Sequence, residues 1–128
     1  MSDELAKRAI ACKGWRWMPG MIALDQDGIK ARVLDVQAGG QVRALICHDG
    51  WNGSPVTVCS PHLPDLEDPA TLGCLLALVR EAWAPATWIT TTACLTSGGV
   101  HGWRVQGLDL PMQSTEAEAL VAALEGAP

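Results

Sequence analysis

The sequence predicts a single α+β domain, residues 1–128, with a mostly antiparallel sheet covered by helices in the order α-β-β-β-β-α-β-β-α. Three observations predict it. Apolar residues recur at helical spacing in three separated stretches, each opened by a capping residue. Between them lie short runs in which apolar and polar residues alternate. Pairs such as Asp27-Gly28, Gly39-Gly40 and Gly98-Gly99 join those runs, and such pairs favour hairpins between antiparallel strands. A chain of 128 residues leaves no room for two separate cores.

The first helix is expected over Asp3 to Cys12, capped by Ser2 or Asp3, with Leu5, Ala6, Ala9 and Ile10 as its apolar stripe. Lys13-Gly14 stops it, and Pro19-Gly20 keeps the segment from Trp15 to Gly20 irregular. Met21 to Asp25 and Ile29 to Val36 are strands about the Asp27-Gly28 turn. Gln41 to Cys47 returns after Gly39-Gly40, His48 to Pro55 is a loop, and Val56 to Cys59 is a fourth strand. The polar segment Ser60 to Asp68 leads to the clearest helix start. Asp68 is the N-cap and Pro69 the first helical residue. Leu72, Leu75, Leu76, Val79 and Trp83 predict one buried face, which makes this helix the expected centre of the core. Pro85 ends it. Thr87 to Leu95 and Val100 to Leu110 form the last hairpin, with Trp103 and Val105 on one face. Thr115 caps a final helix, Glu118 completes a capping box, and Ala117, Leu120, Val121 and Leu124 form the buried stripe.

Composition narrows the function. At 48% hydrophobic and 18% charged residues the chain can bury a core. It has six Trp but no Tyr or Phe, which removes catalysis through a Tyr hydroxyl. The net charge of −5 argues against a nucleic-acid or anionic-membrane partner. Met1 to Lys13 is charged and has no apolar run of a signal peptide, and no run approaches the roughly 20 residues of a membrane span. The five cysteines, Cys12, Cys47, Cys59, Cys74 and Cys94, are odd in number and lack CxxC spacing. Buried free thiols in a reducing cytosol are expected.

No nucleotide-binding glycine loop, nucleophile elbow or zinc-protease pattern is present, and neither an enzyme nor a cofactor is expected. Cys47, His48, Cys59 and His62 supply the ligand types of a tetrahedral zinc site. However, adjacent residues on a strand point to opposite faces, so inward thiols and surface imidazoles are expected instead of metal. The same four residues contain no thiol that the sequence activates as a nucleophile. Asp65, Glu67 and Asp68 are expected to be a solvated loop and a helix cap.

Charge is divided unevenly. Residues 1–43 hold seven basic and five acidic residues, a net of +2, and residues 44–128 hold two and nine, a net of −7. Trp15 and Trp17 flank Arg16 in the basic part. They are either plugs at the core's rim or the flat faces and cation that a ring-bearing anion needs. Trp51, between Gly50 and Asn52, sits in a polar loop where a core role is hard to assign. The expected ligand surface is therefore Trp15, Arg16 and Trp17 with His48, Trp51 and Asn52.

Three segments carry a resemblance: Lys13 to Met21, Leu63 to Trp83, and Trp103-Arg104-Val105 followed by Thr115 to Leu120. In them the chain resembles small phage and prophage accessory proteins and is similar to the phage ABA sandwich domain. That resemblance implies an α/β/α layering and action in a bacterial host cytoplasm. The expected function is a non-enzymatic sponge that sequesters a small, anionic, nucleotide-like host immune signal, with a second copy of the chain completing the site. The alternatives are a protein–protein inhibitor of a host defence protein, such as an anti-CRISPR protein acting through its acidic surface, and a structural phage protein without a ligand.

Overall fold

The computed structural model describes residues 3–47, 53–59, 61–84 and 88–128. Helix α1 spans Asp3–Ala11 and is followed by β1 (Ile22–Leu24), β2 (Lys30–Val36), β3 (Val42–Ile46) and β4 (Pro55–Val58). Next come β5 (Leu63–Pro64), α2 (Pro69–Ala82), β6 (Thr90–Thr96), β7 (Gly99–Gln106) and α3 (Glu116–Glu125). The expected α+β order holds, with the two-residue β5 added inside the polar segment before α2. Strand alternation gives no signal for so short a strand. It forms because Leu24 and Ala23 present an edge to Leu63 and Pro64.

The strands divide into two antiparallel sheets. One has five strands in the order β4-β3-β2-β1-β5, and the other is the β6-β7 hairpin. Turn chemistry fixes the first hairpin: Asp25 Oδ1 accepts the N–H groups of Asp27 and Ile29, and Gly28 takes φ +79°. Ala31 and Val33 alternate inward along β2, against Ala44 and Val42 of β3 and Val58 of β4. These residues belong to one core that also takes Leu75 and Val79 of α2 and Leu120, Val121 and Leu124 of α3.

Helix α2 starts as the sequence predicts. Asp68 Oδ2 accepts the Thr71 N–H at 2.9 Å, with Pro69 at the first helical position. Its buried face is displaced from the expected one, being Thr71, Leu75, Leu78 and Val79, with Leu72, Leu76 and Trp83 half-buried. The displacement follows from Thr71. Its hydroxyl donates to Asp68 at 3.0 Å and accepts the Ile22 N–H of β1 at 2.9 Å, drawing a polar residue into the core. Nor is α2 the most enclosed element. Six of the ten residues of α3 are buried, and α3 packs on α1, α2, β6 and β7. Thr115 caps α3 by accepting the Glu118 N–H at 3.1 Å, and the Glu118 carboxylate reaches back to the hydroxyls of Ser114 and Thr115.

Two outcomes follow. Thr71→Val keeps the shape but leaves the buried Ile22 N–H without an acceptor. It should lower unfolding free energy by about 1–3 kcal/mol in urea denaturation, whereas Thr71→Ser should lose less despite its smaller volume. The second concerns Arg8, which ties α1 to α3 by hydrogen bonds to Glu125 of 2.6 and 3.1 Å. These bonds hold the Glu125 carboxyl below its usual range, against the opposing effect of burial. A carboxyl depressed in the folded state stabilises above its unfolded pKa of about 4.3, and that stability is lost as pH falls through the folded value. Glu125→Gln should flatten the acid limb of the melting-temperature profile below pH 5. At neutral pH it should cost only about 0.5 kcal/mol, because the pair is well exposed.

Candidate ligand-binding groove

The segment between α1 and β1 is irregular but anchored throughout. Trp15 N–H bonds to Cys12 O, Gly20 N–H to Val33 O, and the Arg32 guanidinium to Gly20 O at 2.7 Å. Gly14 lies where a Cβ would sit 3.0 Å from Leu124 Cδ1, so α3 supports the segment from behind. Trp15 and Trp17 are therefore held on a fixed loop. Their rings meet edge to face, with centroids 5.5 Å apart and an interplanar angle of 81°.

Trp15, Arg16 and Trp17 line an open groove of about 790 Å³. Met18 and Pro19 extend the loop side, Ile10 of α1 adjoins it, and Asp35, Val36, Gly40 and Val42 from the β2–β3 hairpin complete the lining. Both indoles are half-buried and packed on the core while still lining the groove. The β2–β3 residues were missed by sequence reasoning. One signal was available: Leu34 and Val36 stand exposed on β2, after the outward-pointing Lys30 and Arg32.

The groove's electrostatics are nearly balanced. Arg16 Nη1 lies 2.7 Å from Glu81 Oε2, with both side chains more than half exposed. Arg43 donates to Asp35 at 2.9 Å and holds that carboxyl below its usual range. Six of the seven basic residues of the N-terminal part, all but Lys13, are thus engaged in ion pairs among the described residues. Lys7 pairs with Glu4, Arg8 with Glu125, Lys30 with Asp65 and Arg32 with Asp68, as Arg16 and Arg43 do with Glu81 and Asp35. One polar group in the groove's lining is unmatched: Trp15 Nε1 is buried and has no hydrogen-bond partner.

A second cleft of about 600 Å³ lies between α1, the β1–β2 turn and residues 61–67. Several of its polar groups are committed within the fold. Asp25 holds the turn, Asp65 pairs with Lys30 and accepts the Glu67 N–H, and His62 Nδ1 lies 2.8 Å from Cys59 O. Asp68 is the helix cap, as expected, whereas Asp65 is buried and paired instead of solvated, so neither is a free acidic surface. Among the described residues no three Cys, His, Asp or Glu side chains converge as a metal site. Cys47 is half-buried, with Sγ 3.6 Å from Lys30 O, while Cys59 is exposed. The thiols are less buried than expected: Cys12, Cys74 and Cys94 are also only half-buried, although burial pushes Cys12 and Cys74 above the usual thiol pKa. His48, Trp51 and Asn52, the other half of the expected ligand surface, lie outside the described residues.

Among the described residues no helix is long and apolar enough to cross a membrane. No protein-family model, curated protein or solved structure matches the chain.

Trp15→Phe removes the unpaired N–H together with part of the ring. Against the roughly 3–5 kcal/mol of a core Trp→Ala truncation, it should change unfolding free energy by about 1 kcal/mol or less. Chemical denaturation followed by far-UV circular dichroism checks this without relying on Trp fluorescence.

Proposed function

We propose that the protein is a non-enzymatic binding protein whose Trp15–Arg16–Trp17 groove takes a small, flat, ring-bearing anionic ligand, of which nucleotides are the type. The observation that carries this reading is that two indoles and one guanidinium line the same open groove. A ring needs a flat face that loses little entropy on binding, and an indole on an anchored loop supplies it. A guanidinium can grip an anion bidentately, and among the described residues Arg16 is held by an exposed carboxylate that a ligand can displace. In the phage setting that the resemblance implies, the ligand is a nucleotide-based host immune signal and the protein is its sponge.

Nucleoside monophosphates and cyclic dinucleotides should quench the Trp fluorescence saturably, with the parent nucleosides binding more weakly. Arg16→Ala should cost about 1.5–3 kcal/mol of binding, the scale of a charge-assisted hydrogen bond, while leaving the melting temperature nearly unchanged. Glu81→Gln frees Arg16 and should tighten binding of the same anions. Absence of saturable quenching, or equal affinity in the Arg16→Ala protein, would sink the reading.

A further inference from the structure

We infer that Asp35 is the specificity-determining acceptor of the groove, taking the hydroxyl groups of a sugar so that ribonucleotides are preferred to their deoxy forms. The inference rests on the proposed ligand reading of the groove and narrows its ligand class. Two indoles and one guanidinium give the groove flat faces and donors, and among the described residues Asp35 carries the only side-chain acceptor in its lining. A mostly apolar pocket owes its selectivity to a few such polar groups. Asp35 stands there through an irregularity of β2. Ala31 and Val33 alternate inward, and regular alternation would carry Asp35 into the core after them. Instead the register shifts between Val33 and Asp35, which leaves Leu34 exposed and sets Asp35 opposite Arg43 at the groove's wall. Bulges of this kind re-aim a side chain and recur beside active sites.

Arg43 makes this carboxylate compatible with an anionic ligand. Its guanidinium donates to both oxygens of Asp35 as a bidentate fork, which offsets the charge and fixes the side chain. An unpaired carboxylate would repel the anion that Arg16 is proposed to hold. The fork takes one lone pair of each oxygen, and each oxygen keeps a second that can accept a hydrogen bond. Arg43 also holds the carboxyl below its usual range, so the group stays ionised and acceptor-only well into acid pH. The Asp35 side chain is 43% exposed, which leaves those positions open to a ligand. Two neighbouring acceptor sites match two neighbouring donors, and the adjacent hydroxyls of a ribose supply them, as they do to a carboxylate in dinucleotide-binding folds. The sugar of a nucleotide lies between its ring and its phosphate. A ligand with its ring on the indoles and its phosphate at Arg16 therefore keeps its hydroxyls in the same groove.

Titration of the full chain with AMP, 2′-deoxy-AMP and 3′-deoxy-AMP, followed by Trp fluorescence, tests this. AMP should bind about five- to tenfold more tightly than either deoxy form, the scale of one hydrogen bond. Asp35→Ala should bring the three affinities together while leaving the melting temperature nearly unchanged, because the Asp35–Arg43 pair is exposed. The ratio is the readout, since a merely structural role would move all three affinities alike. Equal affinities in the wild-type protein overturn the inference and leave the ligand reading of the groove standing, and so does a preference for AMP that survives Asp35→Ala. Absence of saturable quenching by all three overturns both.

Discussion

The hydrogen bond from Ile22 N–H to Thr71 Oγ1 sets where the helices sit on the five-stranded sheet. Strand β1 is only three residues long, and it would be a weak seat for a helix if apolar contact alone held it. Instead, a buried donor of the strand has its acceptor on the first turn of α2. Sliding α2 by a turn would leave that donor unpaired in the core. The same turn is fixed from the other side, because Asp68 caps the helix and also receives the Arg32 guanidinium of β2 at 3.2 Å. One carboxylate thus ends a helix, orients the threonine that binds β1, and holds a cation on β2.

What α2 positions, α3 distributes. Ala117, Ala119 and Ala123 lie among the buried residues of α3, and small side chains let several neighbours approach one helix. On one side the Trp83 Nε1–H donates to Ala123 O at 2.8 Å, and on another Gly14 lies against Leu124. The Trp15–Trp17 loop is therefore braced by the helix farthest from it in sequence. The groove is held both by the loop's own hydrogen bonds and by the core behind it.

Locally determined features were legible in the sequence. The caps at Asp68 and Thr115 and the Asp25–Ile29 turn depend on residues within four positions of each other, and they form as the sequence predicts. The Trp15–Arg16–Trp17 loop was legible because Pro19-Gly20 and Gly14 interrupt every periodicity around three conspicuous side chains. What stayed hidden was decided at a distance. A threonine in the core cannot be read from hydropathy, so the buried face of α2 came out displaced by its tie to β1. The opposite wall of the groove, Asp35 to Val42, needs the β2–β3 hairpin to fold over the loop, and no spacing encodes that meeting. The charge division misled for the same reason. It was visible as a +2 and a −7 segment, but its main use lies inside the fold. Arg8, Arg16, Lys30 and Arg32 from the first segment each meet an acid of the second, namely Glu125, Glu81, Asp65 and Asp68.

That internal pairing bears on what the groove can select. With Arg43 held by Asp35 and Arg16 by Glu81, a ligand meets no standing positive field and cannot be drawn in by long-range attraction. The proposed ligand would first gain from the indole faces and the apolar lining of Ile10, Met18, Val36 and Val42, and only then exchange its anion for Glu81. On the proposed reading such a site would discriminate by shape before charge: a flat ring without an anion would retain part of its affinity, and an anion without a ring almost none. The buried Trp15 Nε1 fits the same order, since a donor with no partner gives nothing to an approaching charge.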